Sequence, residues 1–394
     1  MKILYHHRTA SKDGQAVHIE EMIAALRGLG HEVIVAAPAG ADDQDFGASN
    51  GWVDKIRSHL PKAVYELLEL AYSIVAYRRL AALAREHRPD VLYERYNLYL
   101  LAGVWLHRRF KLPMLLEVNS PLAEERSKYG GLAFPGLARK IEAWTWRGAD
   151  GVLPVTRVLG DVIEKAGVPA ERIHVIPNGI NPEHFAQAPA PDAAKRALGL
   201  EGRTVLGFTG FVRDWHGIDK VIDWMARHDR DENIHLLMVG DGPARADLEA
   251  QASRLGLADR VTFTGLVHRD RVPAMVAAFD IALQPAVTYY ASPLKLFEYL
   301  ALGCAIVAPR KANLLEVLVH DDNALMFDPD IPGDLELTLD RLTADRALRE
   351  RLGTAAKHTI DRRGYTWRRN AERVTALFQT LAGRLPGVQG NGLD

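Results

Sequence analysis

One short run of this sequence, SPLKLFEYLALG, places a lysine and a glutamate near the start of a predicted helix. Ser292 suits the N-cap, Pro293 the first helical position and Gly303 the residue after the last turn. Lys295 and Glu298 are three positions apart and therefore share a face. Beside a helix N-terminus, that face would suit a diphosphate and an adjoining ribose. The spacing alone favours a plainer interpretation, a surface Lys–Glu pair on a capped helix.

Two glycine-containing loops could bring backbone close to the same ligand. The stretch GFTGFVRDWHG at 207–217 follows an apolar run and precedes a helical pattern, and its Arg213 offers a planar fork for phosphate oxygens. The loop at 240–243, GDGP, also follows an apolar run. Taken singly, each loop is equally well explained as a tight strand-to-helix turn.

Alternating apolar runs and helical patterns must position these loops. In the first half the predicted strands are 2–5, 33–38, 90–93, 114–118, 151–155 and 174–177, with a helix over 17–29. In the second half they are 204–209, 235–239, 261–263, 281–283 and 305–308, with a helix over 217–228. This alternation predicts the α/β class, with a doubly wound sheet in each half.

The chain is also long enough for two domains. The aperiodic Pro/Ala stretch at 186–192 predicts a linker between a domain over 1–185 and a second domain over 192–362. A final helix over 365–385 would return to the first domain. Its candidate packing residues are Trp367, Val374, Leu377 and Phe378.

Composition restricts the class of protein. The 49 basic and 50 acidic side chains give a net charge of -1, which argues against a nucleic-acid partner. The single cysteine, Cys304, and a start without a signal-peptide pattern favour a cytoplasmic location. The most apolar longer segment, 67–77, is interrupted by Glu69 and falls below the roughly 20 residues that cross a bilayer.

The helical segment 60–88 leaves two interpretations open. It combines apolar residues with Arg78, Arg79, Arg85 and Arg88, which would suit peripheral association with an anionic membrane at the inner face. The blander alternative is an amphipathic helix that packs its apolar side on its own sheet and keeps the basic residues in solvent.

Several motifs in order resemble those of the retaining glycosyltransferases of family 4, also called glycosyl transferases group 1, which have the GT-B fold. The motifs are GHEV at 30–33, RIHVIPNGI at 172–180 with Phe185, VGDGP at 239–243 and SPLKLFEY at 292–299. The resemblance covers nearly the whole chain. It implies two Rossmann-like domains that face a central cleft, with an acceptor bound by the N-terminal domain and a nucleotide-sugar donor by the C-terminal domain.

The resemblance also assigns roles to residues. Glu298 falls on the second glutamate of the family's E-x7-E motif, which contacts the donor ribose, whereas Tyr290 stands where the family has the first glutamate. His216 replaces the diphosphate-binding lysine, so Arg213 and Lys295 are the expected substitutes. The expected donor-binding set is Asp13, Gly14, Gly210, His216, Gly240, Ser292, Pro293, Leu294 and Glu298, and the expected catalytic set is Arg213, Lys295, Glu117 and Asn119.

Glu117 and Asn119 follow a predicted strand, where they would orient a sugar or, equally well, satisfy loop backbone. His18 is expected to pack or cap rather than to take part in catalysis. The resemblance implies retention at the anomeric carbon, with the departing phosphate helping to take the acceptor proton. No cofactor is expected and no metal, because the histidines are scattered and Cys304 is solitary.

The sequence leaves the base, the sugar and the acceptor open, and a glycan, a lipid-linked saccharide or a small metabolite would each fit as acceptor. Two other functions also remain. One is a sugar-nucleotide epimerase of the same fold, and the other is a noncatalytic donor-binding partner subunit, which Tyr290 and His216 would suit.

Overall fold

The computed structural model describes residues 1–9, 14–38, 60–228 and 233–383. The chain divides into two compact units. Unit 1 comprises Met1–Pro177 and Trp367–Asp394, and unit 2 comprises Asn178–Thr366. Each unit is built on one parallel sheet with helices packed on it.

Unit 1 has a five-stranded sheet in the order β2-β1-β3-β4-β5. Strands β3 and β4 are buried along their whole length, as expected of apolar runs in a parallel sheet that is covered on both faces. Because β2 and β3 lie on opposite sides of β1, the strand order reverses between β1 and β3, which opens a crevice at their carboxyl ends. The elements are β1 (Lys2–His6), α1 (Gly14–Gly28), β2 (Glu32–Ala36), α2 (Lys62–His87), β3 (Val91–Arg95), α3 (Ala102–Phe110), β4 (Met114–Val118), α4 (Leu122–Tyr129), α5 (Pro135–Arg147), β5 (Gly151–Pro154) and α6 (Arg157–Lys165).

Unit 2 has a six-stranded sheet in the order β11-β10-β9-β6-β7-β8. Its order reverses between β6 and β9, so the loops after these two strands flank the second crevice. The elements are α7 (Pro182–Ala186), α8 (Pro191–Ala197), β6 (Thr204–Thr209), α9 (Ile218–Arg227), β7 (Ile234–Val239), α10 (Arg245–Arg254), β8 (Val261–Phe263), α11 (Val272–Val276), β9 (Ile281–Leu283), α12 (Leu294–Leu302), β10 (Ala305–Pro309), α13 (Ala312–Leu315), β11 (Leu325–Phe327), α14 (Asp334–Ala344) and α15 (Arg346–Arg363). The predicted α/β class with two Rossmann-like sheets is confirmed.

The last helix, α16 (Trp367–Gly383), belongs to unit 1 although it follows unit 2 in the chain. It packs on α1, where the Trp367 ring lies 4.8 Å from the His18 ring between centroids. The Asn370 amide donates to the Pro177 carbonyl over 2.6 Å. Phe378 lies edge-on to Tyr93 of β3 at 6.5 Å. Unit 1 is therefore assembled from two separate stretches of sequence.

Two boundaries differ from the sequence-based expectation. Residues 174–177 form no strand, because only single backbone bonds, such as His174 N–H to the Val152 carbonyl, attach them to β5. Unit 2 begins at Asn178, earlier than the expected linker at 186–192. Phe185 and Ala188 pack against the core of unit 2, and Pro191 starts α8, so the Pro/Ala stretch is part of that unit.

Helix α2 shows the expected amphipathic packing only in its second half, where Leu80 and Ala84 are buried. In its first half Leu67, Leu68 and Val75 are more than half exposed, whereas Glu66 and Glu69 are buried. The first half of the helix therefore turns its apolar residues outward. Within the described parts of the chain, none of the helices combines the length and apolar character required to cross a membrane.

Candidate active site

Glycines bring the loops after β6 and β7 into backbone contact. Gly240 has φ +131° and lies so close to Gly210 that a Cβ on it would sit 2.3 Å from the Gly210 carbonyl oxygen. A Cβ on Gly242, at φ +155°, would sit 2.1 Å from the Val212 carbonyl oxygen. The Val212 N–H donates to the Asp241 carbonyl over 2.8 Å. Residues with side chains cannot replace these two glycines without moving backbone.

Lys295 lies beside this pair of loops. Its Nζ is 3.5 Å from the centroid of the Phe208 ring, and a Cβ on Gly210 would lie 3.4 Å from the same nitrogen. Burial lowers the pKa of Lys295 to about 7, against the opposing effect of Glu298. Burial raises the pKa of Glu298 to about 7, against the effects of Lys295 and Arg269. Lys295 and Glu298 are thus both half-buried, and burial disfavours the charged form of each.

Tyr299 fixes the helix that carries both residues. Its phenol oxygen accepts from the Thr209 N–H over 3.0 Å at the end of β6, and it lies 3.4 Å from the Leu283 carbonyl oxygen at the end of β9. The phenol therefore connects α12 to both strands of the crevice. Asn178 fixes the approach to the helix, because its amide donates to the Ser292 carbonyl over 2.5 Å.

The start of α12 corrects one sequence-based assignment. The helix begins at Leu294, and Pro293, at φ -67° and ψ 125°, occupies the N-cap position without a side-chain hydrogen bond. Ser292 is therefore not the cap, since the extended backbone of Pro293 delays the first helical turn by one residue. The predicted end is confirmed, because Gly303 adopts φ +70° at the C-cap.

His216 contributes no positive charge to this site at neutral pH. Burial and the charge of Lys295 lower its pKa to about 3, and its Nδ1 accepts from the Arg213 N–H over 2.9 Å. The Arg213 guanidinium is exposed and lies 5.2 Å from the Phe211 ring centroid. Since Arg213 also lowers the pKa of His216, the charges of Lys295 and Arg213 act on the same imidazole. The two cations expected to bind phosphate therefore gather at one end of unit 2.

In unit 1, Glu117 is the centre of a buried polar network. Its carboxylate accepts from the Tyr93 hydroxyl over 2.7 Å, from the Asn119 amide over 2.5 Å and from the Arg95 guanidinium. His18 Nε2 lies 3.2 Å from the same carboxylate. Burial would raise the pKa of Glu117, but His18, Arg95 and the hydrogen bonds hold it well below its usual range. Glu117 and Asn119 are thus engaged with each other and with protein groups.

The crevice of unit 1 contains polar residues that the sequence analysis did not single out. His6 Nδ1 lies 2.5 Å from Glu94, whose carboxylate rests against Gly103 in the first turn of α3. His7 is 8% exposed, and its Nδ1 has no hydrogen-bond partner. Burial lowers the pKa of His7 to about 4, so the ring is neutral at pH 7. A charged residue within a buried apolar strand, Arg95, was the available signal for this network.

The structure thus collects most of the predicted residues into two groups. Gly210, Gly240, His216, Lys295 and Glu298 lie together at the crevice of unit 2, with Arg213 at its exposed side. Glu117 and Asn119 lie at the crevice of unit 1. Gly14 is the exposed first residue of α1, and Asp13 lies outside the described residues. In the part of the chain that the structure describes, no three His, Cys, Asp or Glu side chains are grouped to hold a metal ion.

Comparison with known proteins identifies the family. Residues 12–184 match the family described as Glycosyltransferase Family 4, and residues 192–359 match Glycosyl transferases group 1. The 2-deoxystreptamine glucosyltransferase of Streptomyces kanamyceticus is 31% identical over 258 residues, which are 63% of this chain and 66% of that protein. A GDP-mannose-dependent alpha-mannosyltransferase of Mycobacterium tuberculosis is 24% identical over 382 residues, 94% of each chain.

The fold is shared with a solved structure. HepE of Anabaena, crystallised with UDP, superposes with a TM-score of 0.76 at 17% identity, over 96% of this chain and all of that one. These matches favour neither the epimerase nor the noncatalytic subunit. The chain belongs to the family 4 glycosyltransferases, has their GT-B fold and is a glycosyltransferase.

Proposed function

We propose that the protein transfers a sugar, with retention of anomeric configuration, from a nucleoside-diphosphate donor held by unit 2 to a hydroxyl-bearing acceptor held by unit 1. The observation that carries this proposal is the position of Lys295, whose ammonium lies against the glycine loops of the unit 2 crevice with Glu298 one turn further along the same helix. The GDP-mannose in the name of the mycobacterial relative and the UDP bound by HepE support a nucleotide donor, and they leave the base open.

A diphosphate would satisfy the groups that the crevice leaves unbalanced. Lys295 is partly desolvated with only Glu298 as an opposing charge among the groups that shift its pKa, so a bound anion would stabilise its protonated form. The exposed guanidinium of Arg213 can reach out to a second phosphate oxygen. Glu298 would accept hydrogen bonds from the ribose hydroxyls. The catalytic contribution of this side is to stabilise the charge that develops on the leaving diphosphate.

Retention is supported by the family and by one relative. The mycobacterial protein is named as an alpha-mannosyltransferase that depends on GDP-mannose, and an α-linked product from an α-linked nucleotide sugar is the outcome that retention gives. For this chain we propose front-face attack through an oxocarbenium-like transition state, with the departing phosphate helping to take the acceptor proton. We propose that no metal or cofactor takes part, since Lys295 and Arg213 supply the positive charge. Turnover should then withstand a chelator.

The acceptor would bind at the unit 1 crevice, where His7 is the candidate contact. Its neutral ring has an unpartnered Nδ1 whose lone pair can accept a hydrogen bond from a sugar hydroxyl. Glu117 would act as a positioning residue, because its hydrogen bonds fix Arg95, Tyr93 and Asn119. A glycan, a lipid-linked saccharide or a small metabolite would each present such a hydroxyl.

A donor screen tests the proposal. UDP-, GDP-, ADP- and dTDP-sugars are compared by thermal shift, and the donor that stabilises most is incubated with acceptors of the three kinds. We expect a transfer product whose anomeric proton coupling matches that of the donor. An inverted product would refute retention, an isomerised donor would indicate epimerisation, and binding without turnover in all combinations would refute the transferase assignment for this chain.

A further inference from the structure

Helix α2 exposes a continuous apolar stripe to solvent. Its members, Val64, Leu67, Leu68, Ile74 and Val75, are between 42% and 59% exposed. They are spaced three, four and seven residues apart and therefore occupy one side of the helix over its first half. Scattered apolar residues are ordinary on protein surfaces, whereas a contiguous stripe marks a surface that contacts something else.

Along the first half of α2, the side opposite the stripe is polar and buried. Glu66 accepts from the Tyr99 hydroxyl over 2.8 Å and from the Ala133 N–H over 2.6 Å. Glu69 pairs with Arg126 at 2.8 Å. Ser73 donates to the Tyr99 carbonyl over 2.7 Å. Rotating the helix to bury the stripe would break these bonds, so the outward orientation of the apolar side is fixed by the fold.

Basic residues continue the same side of the helix beyond the stripe. Arg78 and Arg85 are exposed and follow Ile74 and Val75 at helical spacing, so they lie on the stripe's side of α2. Arg79, also exposed, donates to the Ala37 carbonyl. Glu86 is the exposed carboxylate on this part of the helix. The side as a whole is apolar along its first half and predominantly positive along its second half.

Two further exposed apolar residues lie near the start of α2. The Phe134 N–H donates to the buried Glu66 over 3.2 Å, and the Phe134 side chain is 40% exposed. Leu137 on α5 is 41% exposed. We call the stripe, the arginines that follow it on the same side and these two residues the α2 surface.

We infer that the α2 surface docks unit 1 on an anionic lipid bilayer. Leucine, valine and phenylalanine side chains can enter the boundary between headgroups and acyl chains, and arginines on the same side can contact lipid phosphates. A second copy of the chain is the less suitable occupant, since it presents the same predominantly basic residues and offers them little complementary charge. This inference does not depend on the donor chemistry, and it would bring the acceptor-binding unit to a membrane.

Vesicle sedimentation of the full chain tests the inference without any substrate. The vesicles contain phosphatidylglycerol and phosphatidylcholine in equal parts, or phosphatidylcholine alone. We expect binding to the mixed vesicles that weakens with salt and is much weaker with phosphatidylcholine alone. Leu68→Glu should weaken binding more than about tenfold, because it removes a leucine that would be buried in the bilayer and adds a negative charge. Arg78→Ala should weaken binding about fivefold.

Matched variants on unit 2 serve as controls. Leu337, 66% exposed on α14, is a leucine of similar exposure, and Lys220 is an exposed cation on α9. Leu337→Glu and Lys220→Ala should bind vesicles as the wild type does, and turnover of a water-soluble acceptor by Leu68→Glu should be unchanged. The inference is overturned if the wild type stays unbound with the mixed vesicles, or if Leu68→Glu binds as well as Leu337→Glu. It is also overturned if light scattering shows a dimer that Leu68→Glu dissociates.

Discussion

Both crevices lie where the strand order of their sheet reverses, but their charged groups are arranged differently. In unit 1 the crevice between β1 and β3 contains buried ionic groups that are paired within the protein, with Arg95 and His18 around Glu117 and His6 against Glu94. In unit 2 the crevice between β6 and β9 is bounded by glycine backbone and one half-buried pair, Lys295 and Glu298. The charged groups of the unit 1 crevice are paired within the protein, whereas burial disfavours the charged forms of Lys295 and Glu298 in the unit 2 crevice.

This difference in charge pairing indicates which kind of ligand each crevice would bind. Charges that are paired within the protein hold their side chains in fixed positions and leave a ligand mainly neutral groups such as the His7 ring, which suits a hydroxyl compound. A crevice with an unbalanced ammonium and accessible backbone gains electrostatic energy when an anion binds. This difference supports the proposed binding of the diphosphate at unit 2 and of the acceptor hydroxyl at unit 1.

The largest effect is expected from breaking the unit 1 network. Arg95→Met would leave Glu117 buried beside a neutral side chain and should lower the free energy of unfolding by about 3–5 kcal/mol, measured by urea titration. Arg157→Met is the matched control, because Arg157 pairs with Asp161 and Glu164 at an exposed position and its loss should cost less than about 1 kcal/mol. Equal costs for the two variants would remove the contrast between the crevices.

A substitution in the unit 2 crevice should lower activity rather than the free energy of unfolding. Lys295→Met should lower kcat/KM for the donor about 100-fold, because it removes the charge that opposes the leaving diphosphate. The same variant should not reduce the free energy of unfolding, since Lys295 is partly desolvated in the folded state. Steady-state kinetics and urea titration check both statements, with Lys220→Met as the control. Unchanged turnover in Lys295→Met would show that the donor does not bind in this crevice.

The glycine contact between the two loops of unit 2 can be tested independently of charge. Gly242→Ala would place a Cβ 2.1 Å from the Val212 carbonyl oxygen at φ +155°, and should cost about 2–3 kcal/mol of stability and weaken donor binding. Gly199, at φ +68° with no atom within 4 Å of an added Cβ, is the control, and its change to alanine should cost about 1 kcal/mol. Thermal unfolding and donor titration measure the two effects. Similar results for both variants would show that the loop contact tolerates a side chain.

The smallest effect is a pH dependence of the unit 2 crevice. Glu298 must be ionised to accept from the ribose and Lys295 protonated to bind phosphate, and both pKa values lie at about 7. The kcat/KM for the donor should therefore peak near pH 7, falling as Glu298 gains a proton on the acid side and as Lys295 loses one on the alkaline side, by up to about tenfold per pH unit. Glu298→Gln should abolish the acid limb alone. A profile that is flat through pH 7 in the wild type contradicts this assignment.

Elements that are determined by a short stretch of sequence could be predicted from that stretch alone. The strands β4, β6, β8 and β9 have their expected bounds, because each is a short apolar run closed by polar residues. The helix that carries Lys295 and Glu298 was also expected from its proline and its terminal glycine. Strand β11 was not predicted, although β8 and β9 are equally short.

Features that depend on distant partners could not be predicted. The polar side of α2 is buried because Tyr99, Arg126 and the backbone at Ala133 supply its hydrogen bonds, and these lie far along the chain. The contact of Gly240 with Gly210 likewise requires the pairing of β6 with β7. The neutrality of His216 follows from burial beside Lys295, a neighbour that its position in the sequence does not reveal.

The discontinuity of unit 1 has a consequence for biosynthesis. Helix α16 covers α1 and β3 through Trp367 and Phe378, yet the ribosome makes it after all of unit 2. During translation residues 1–177 are therefore made before the helix that completes unit 1, whereas unit 2 is a continuous stretch that can finish folding earlier. Unit 1 is therefore begun first and completed last. Until α16 is made, the surface that it covers on unit 1 is exposed and accessible to chaperones.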